Sequence, residues 1–401
     1  MTTSSQRPGD SREPFLVFGA PQIEQAEIDE VEDCLRSGWL GTGPKVAAFE
    51  SSFRTYKQSS HALAVNSCTA ALHLSLLACD LEPGDEVITT PLTFCSTVNA
   101  IIHAGATPVM ADVDPVTMCI DPSAIASVVT ERTRAIVPVH FAGRCCDMDA
   151  IVAIARAHDL LIIEDCAHAI ESTYRGTPAG TMGDFGCFSF YATKNLCTGE
   201  GGMIITESES RAARIKTLAL HGMTKDAWKR FSDSGYRHYQ VVEAGFKYNM
   251  MDLQAAIGLH QLERLHQNWF RRASVWDRYQ EAFADLPVTL PAPPEDDSVH
   301  AHHLFTMLID ERVTGVSRDR FLELMTDRGI GVGVHYVSIP EHPYYQERFG
   351  WSPDATPRAR DIGRQTVSLP LSAKLSDADV DRVIGAVRDI VGTSARVSDA
   401  A

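Results

Sequence analysis

From about Ser59 to Thr206, short apolar runs alternate with stretches of helical period. Ala62–Val65, Glu86–Thr90, Thr107–Ala111, Ala135–His140, Leu161–Glu164, Gly186–Phe190 and Met203–Thr206 read as strands. Ser67–Ala78, Ser96–Ala104 and Met148–His158 read as helices between them. This alternation predicts an α/β fold with a mostly parallel sheet, and the continuous apolar strands predict cover on both faces. Gly222 to Gly245 breaks the pattern with polar, Lys-, Arg- and His-rich sequence. One long helix is expected from Met251 to about Ala282, with Leu253, Ala256, Ile257, Leu259 and Leu262 at its apolar positions. The Pro-rich stretch ending at Ser298 reads as a linker. Beyond it, His303–Ile309, Asp319–Arg328, Gly331–Tyr336 and Asp377–Ile390 suggest a smaller α+β domain. The expected division is a large domain over 15–285, a small one over 286–392, and flexible tails at 1–14 and 393–401.

A chain of 401 residues with 44% apolar and 22% charged content has the size of a two-domain globular subunit. The formal charge of −16 argues against nucleic acid as a partner, because that binding needs a basic surface. An anionic small substrate would need a local basic patch. Lys225, Lys229, Arg230, Arg237 and Lys247 could form one suited to a diphosphate, and equally they could be a solvated charged loop. No run approaches the roughly 20 apolar residues of a membrane span, and the polar start lacks a signal-peptide core. The expectation is a cytoplasmic protein with no membrane contact. The ten cysteines are scattered through apolar stretches, so reduced thiols are expected. Adjacent Cys145 and Cys146 lack the spacing of a metal site.

Four stretches carry candidate chemistry. In Ala64–Ala71 a strand passes through small residues into a helix, whose unpaired N–H groups suit a phosphate, although the same residues also read as plain N-caps. Asp165 ends an apolar strand where α/β sheets bind ligands, and could pair with a protonated ring nitrogen, ligate a metal or cap the next helix. Lys194 follows a buried strand and precedes Thr198–Gly202. Of eight lysines it alone lies among apolar, small and glycine residues, a setting that lowers an amine's pKa toward that of a nucleophile. A lysine reaching back to solvent is the plain alternative. The fourth stretch, Gly245–Ala256, opens the long helix.

Together with Gly38–Pro44, Pro83–Val87, Gly105–Val109, Gly329–Tyr336 and Ser368–Leu371, these stretches resemble the DegT-type sugar aminotransferases from about Phe18 to Val391. The resemblance implies a fold-type I aminotransferase that uses pyridoxal 5'-phosphate, with a large mostly parallel-sheet domain and a smaller C-terminal α+β domain. It implies that Lys194 binds the cofactor covalently and moves the proton, and that Asp165 pairs with its pyridine nitrogen. His168 would contact the phenolic oxygen or lie against the ring, with Phe94 on the other ring face. Cys68, Thr69 and Ser189 would hold the phosphate. Lys247 or Asn249 would reach a neighbouring subunit's phosphate, in a homodimer with shared active sites. His335 matches a histidine near the sugar end, though a structural histidine is as consistent with its surroundings. The variant looks most like the branch that makes UDP-4-amino-4-deoxy-L-arabinose, which implies a nucleotide-linked 4-keto sugar with L-glutamate as donor. Lys229 and Arg230 would then contact the nucleotide. A glutamine-dependent aminotransferase of a keto-cyclitol such as scyllo-inosose is the alternative. A regulatory pyridoxal-phosphate-binding protein without turnover is a third reading, against which the retained Lys194–Asp165 pair argues. No metal is implied.

Overall fold

A computed structural model describes residues 14–224 and 239–398, with side chains through 392. Helices α1 (Gln25–Ser37) and α2 (Pro44–Lys57) precede β1 (His61–Val65), α3 (Cys68–Leu77), β2 (Glu86–Thr89), α4 (Cys95–His103) and β3 (Thr107–Met110). Then come α5 (Pro122–Val128), β4 (Thr133–Val137), α6 (Met148–His158), β5 (Leu161–Asp165), the short pair β6 (Thr173–Tyr174) and β7 (Thr177–Pro178), β8 (Phe185–Ser189), β9 (Gly202–Thr206) and α7 (Glu209–Leu218). Seven strands form one sheet in the order β1-β9-β8-β5-β4-β2-β3. β9 alone runs against its neighbours; the other pairings are parallel. Three apolar cores are built on the sheet: one beneath α3 around Leu72 and Ile163, one around Ile136, Ile151 and Ile162, and one around Phe53, Phe188 and Met203. β4 ends before the predicted His140 because Pro138 has no N–H to continue the ladder.

The expected long helix is two. α8 (Asp252–Glu263) and α9 (Leu265–Phe283) break at Arg264, whose φ of −90° and ψ of −1° end the first. Arg264 Nη1 donates to Glu27 Oε2 of α1 at 3.0 Å. The bend lets α8 pack on α1 and α2, while α9 sends Val275, Trp276, Tyr279 and Phe283 into a C-terminal core. That core also holds β10 (Phe305–Leu308), α11 (Arg318–Asp327) and β11 (Thr366–Leu369), with α10 (Glu311–Thr314) leading into α11. α12 (Pro343–Phe349) and α13 (Pro357–Gln365) precede β11. Gly331–Tyr336 forms no regular element and meets β11 through one bridge, Gly333 to Ser368. The last helix, α14 (Asp377–Ser398), extends beyond the Ile390 at which its period ended in the sequence. All ten cysteines are free thiols. No helix among the described residues is long and apolar enough to cross a membrane.

Candidate active site

The carboxyl ends of β1, β5 and β8 open onto one cavity of about 600 Å³. That is the size of a cofactor-plus-substrate site, at the sheet edge where parallel α/β folds bind ligands. Ser67, Cys68 and Thr69 line it where β1 turns into α3. Ser67 Oγ caps Ala70 N at 3.1 Å, which leaves the Cys68 and Thr69 N–H groups without a helical partner. Gly202 of β9 makes this turn possible: a Cβ there would lie 2.6 Å from the Ser67 carbonyl and 2.8 Å from Cys68 N.

Asp165 closes β5. Its Oδ1 accepts from Ala167 N at 3.1 Å and its Oδ2 from the Thr97 hydroxyl at 2.9 Å; Thr97 in turn meets Thr93 Oγ1 at 2.8 Å. Burial raises the Asp165 carboxyl, against the pull of those donors and of Lys194. Behind it, His140 Nε2 lies 2.9 Å from Glu164 Oε2, and Glu164 also accepts from Gly180, Met182 and Gly183 N. Burial works against the Glu164 carboxylate, but His140 and these N–H groups win and hold its pKa down. His140, Glu164 and Cys166 come close enough to suggest a metal, yet the carboxylate is already occupied by this hydrogen bonding.

Lys194 ends a turn after β8, its N–H bonded to Tyr191 O at 2.8 Å. Burial lowers its ammonium to about 8, while the Cys68 thiol and Asp165 pull it back upward. Its neighbour Asn195 is pinned, donating to Glu171 Oε2 at 2.9 Å and Ala301 O at 3.0 Å, with Oδ1 2.9 Å from His303 Nδ1. Glu171 is paired with buried Arg272 of α9. The surroundings of Lys194 are not unique among the lysines, contrary to the sequence reading. Lys57 is 1% exposed, with Nζ donating to Ile170 O at 3.2 Å and lying 4.9 Å from the Phe188 ring centre. It does not line the cavity.

His168, Phe94, Ser189 and His335 also line the cavity. Phe94 is 57% exposed, an open ring face 6.0 Å from the Tyr336 ring. His335 Nδ1 is 2.8 Å from Ser368 Oγ, and burial lowers the imidazole to about 3. Lys247 and Asn249 are not among the lining residues. They pair with each other beside the end of β1, where Asn249 Nδ2 donates to Thr42 Oγ1 at 2.6 Å and Asn66 Nδ2 to Lys247 O at 3.3 Å. Lys229 and Arg230, with Lys225 and Arg237, lie outside the described residues. Sequence reasoning missed Thr93, Thr97, Tyr191, Glu200 and Tyr336. Glu200 and Tyr336 carried a signal, as members of the Thr198–Gly202 and Gly329–Tyr336 stretches.

The family model for the DegT/DnrJ/EryC1/StrS aminotransferases matches residues 21–388. The chain belongs to this family. It is 51% identical over 381 residues to the spore coat polysaccharide biosynthesis protein SpsC of Bacillus subtilis, covering 95% of this chain and 98% of that one. The PMP form of Spr1654 from Streptococcus pneumoniae superposes with a TM-score of 0.89 at 34% identity, over 94% of this chain and 100% of that one. Its PLP form gives 0.87 at 33%, over 95% and 99%. DesI, solved in the presence of its TDP-sugar product, gives 0.85 at 31%, over 96% and 95%. The DegT-family chain is thus a pyridoxal-phosphate-dependent sugar aminotransferase with the expected α/β fold. Its cavity fits that cofactor: a helix start with free N–H groups for the phosphate, a buried carboxylate for the ring nitrogen, an amine to attach it and an open aromatic face.

Proposed function

We propose that the enzyme transfers an amino group from L-glutamate to a 4-keto deoxy sugar carried on a nucleoside diphosphate. Bound in the cavity, pyridoxal phosphate supplies an aldehyde that takes up the amino group and a protonated ring that draws electrons from the carbon losing its proton. Lys194 attaches the cofactor and carries the proton on Nζ. Asp165 keeps the ring nitrogen charged, the Cys68 and Thr69 N–H groups with Ser189 hold the phosphate, and Phe94 covers one ring face. His335 meets the sugar.

The observation that carries the substrate reading is electrostatic. Lys194 is the only cationic side chain lining the cavity among the described residues, so a diphosphate needs basic groups from outside it. The chain is acidic overall, and Lys225, Lys229, Arg230, Arg237 and Lys247 are the basic side chains of the polar Gly222–Lys247 stretch that would supply them. The TDP-sugar product of DesI and the polysaccharide role of SpsC support a nucleotide-linked sugar. Binding the remote nucleotide can position the keto carbon against the cofactor. Both half-reactions, followed by cofactor absorbance with UDP-, dTDP- and GDP-linked 4-keto sugars and with scyllo-inosose, test this. A preference for scyllo-inosose, or indifference to the nucleotide, contradicts it. Lys229→Ala/Arg230→Ala should raise KM for the sugar and leave the glutamate half-reaction unchanged.

The same reading includes a homodimer with shared sites. Lys247 is exposed and is not among the residues that line the Lys194 cavity of its own subunit. Leu35, Trp39, Leu40 and Met251 remain 43 to 58% exposed, a patch that a second subunit could cover. Mixing inactive Lys194→Ala subunits with Lys247→Ala/Asn249→Ala subunits should restore activity. Confirmed exchange without recovery contradicts sharing.

A further inference from the structure

His168 is oriented by its backbone partner. Nδ1 accepts from Ala142 N at 3.2 Å, so the ring proton of the neutral imidazole is on Nε2. Burial, together with Lys194, His303 and His335, holds the imidazole well below its ordinary pKa, so it stays neutral. Nε2–H therefore donates to the Tyr336 hydroxyl oxygen 3.1 Å away. A phenol that accepts this bond keeps its own proton for something else, and the Tyr336 hydroxyl has no other hydrogen bond among the described residues. Burial pushes the phenol's pKa up, so it remains protonated. The ring is held between Phe94, at 6.0 Å, and Phe141, at 6.3 Å, and it lines the cavity.

We propose that Tyr336 is a fixed hydrogen-bond donor to a phenolate or carbonyl oxygen of the group bound in the cavity, and that His168 is a positioning residue acting through it. This departs from a direct contact of His168 with the cofactor's phenolic oxygen. It rests on the reading that the cavity holds pyridoxal phosphate. Two acceptors have the right chemistry: the phenolic oxygen of the cofactor and the keto oxygen of the sugar. Loss of one hydrogen bond to a charged or strongly polar oxygen weakens the affected step about tenfold or more.

The test compares wild type with Tyr336→Phe, in cofactor titration of apo-protein and in both half-reactions. If the cofactor is the acceptor, its dissociation constant rises and the pH midpoint of its visible band shifts. If the sugar is the acceptor, both stay constant, kcat/KM for the keto sugar falls and the glutamate half-reaction is unchanged. Either result supports the donor; no change in any of them overturns it. 3-Fluorotyrosine at position 336 keeps the shape and strengthens the donor, so its effect should run opposite to Tyr336→Phe, and a loss in the same direction contradicts donation. His168→Leu should reproduce Tyr336→Phe, and the double variant should be no worse than either. His168→Gln, whose amide can accept from Ala142 and donate to Tyr336, should restore function. Additive losses overturn the positioning role. A wild-type protein that forms no bond to pyridoxal phosphate at Lys194 would instead refute the underlying reading, independently of Tyr336.

Discussion

On the proposed role of Lys194, attaching pyridoxal phosphate to the apo-protein needs its neutral amine, and burial sets how much of that amine exists. With the ammonium lowered from 10.5 to about 8, about one-tenth is neutral at pH 7, against about three in ten thousand for an unperturbed lysine. The gain is roughly 300-fold. Mixing apo-protein with excess cofactor in a stopped-flow instrument, and normalising to an acetylated free lysine, measures it directly. The rate of visible-band formation should rise about tenfold per pH unit and level off near pH 8. The Asp165 carboxylate raises the Lys194 pKa, so Asp165→Asn should move the midpoint below 8. The sign for stability follows: between about 8 and 10.5 the unfolded chain binds more protons at this lysine, so its contribution to apo-protein stability grows with pH across that window. A midpoint near 10.5, or one that rises in Asp165→Asn, refutes the argument.

Thr97→Val removes the donor to Asp165 Oδ2, so the carboxyl should rise further and cofactor affinity fall about tenfold, with Thr97→Ser largely restoring it; equilibrium dialysis measures this. Glu164→Gln breaks a buried, fully hydrogen-bonded carboxylate and should cost about 3 kcal/mol in denaturant unfolding at neutral pH. Because the Glu164 pKa is lowered on folding, its stabilisation is present above the unfolded value and lost as pH falls through the folded one, so the variant should show a flatter acid limb. Lys57→Met replaces a buried amine that makes one hydrogen bond, and cofactor attachment should be unchanged by absorbance.

The sheet was legible because its strands are buried on both sides and read as apolar runs, and Asp165 and Lys194 stood out as charged groups set among them. The break at Arg264 was not, because the helical period continues across it and the partner that Arg264 meets there, Glu27, is 237 residues away. Thr97 was invisible, and so was the role of Tyr336 within its motif, because their partners lie 68 and 168 residues distant. Lys57 shows the opposite failure. Its burial comes from the Phe188 ring and the Ile170 carbonyl, while its sequence neighbours, Tyr56 and Gln58, suggest a surface helix end.

Borohydride reduction of the cofactor-loaded enzyme, followed by peptide mass mapping, tests the central claim most directly, because it locks the cofactor onto whichever lysine holds it. The expected result is a single pyridoxyl-modified peptide, modified at Lys194 and absent from Lys194→Ala. Modification at Lys57 or any other of the eight lysines, or retention of the label in Lys194→Ala, would contradict it.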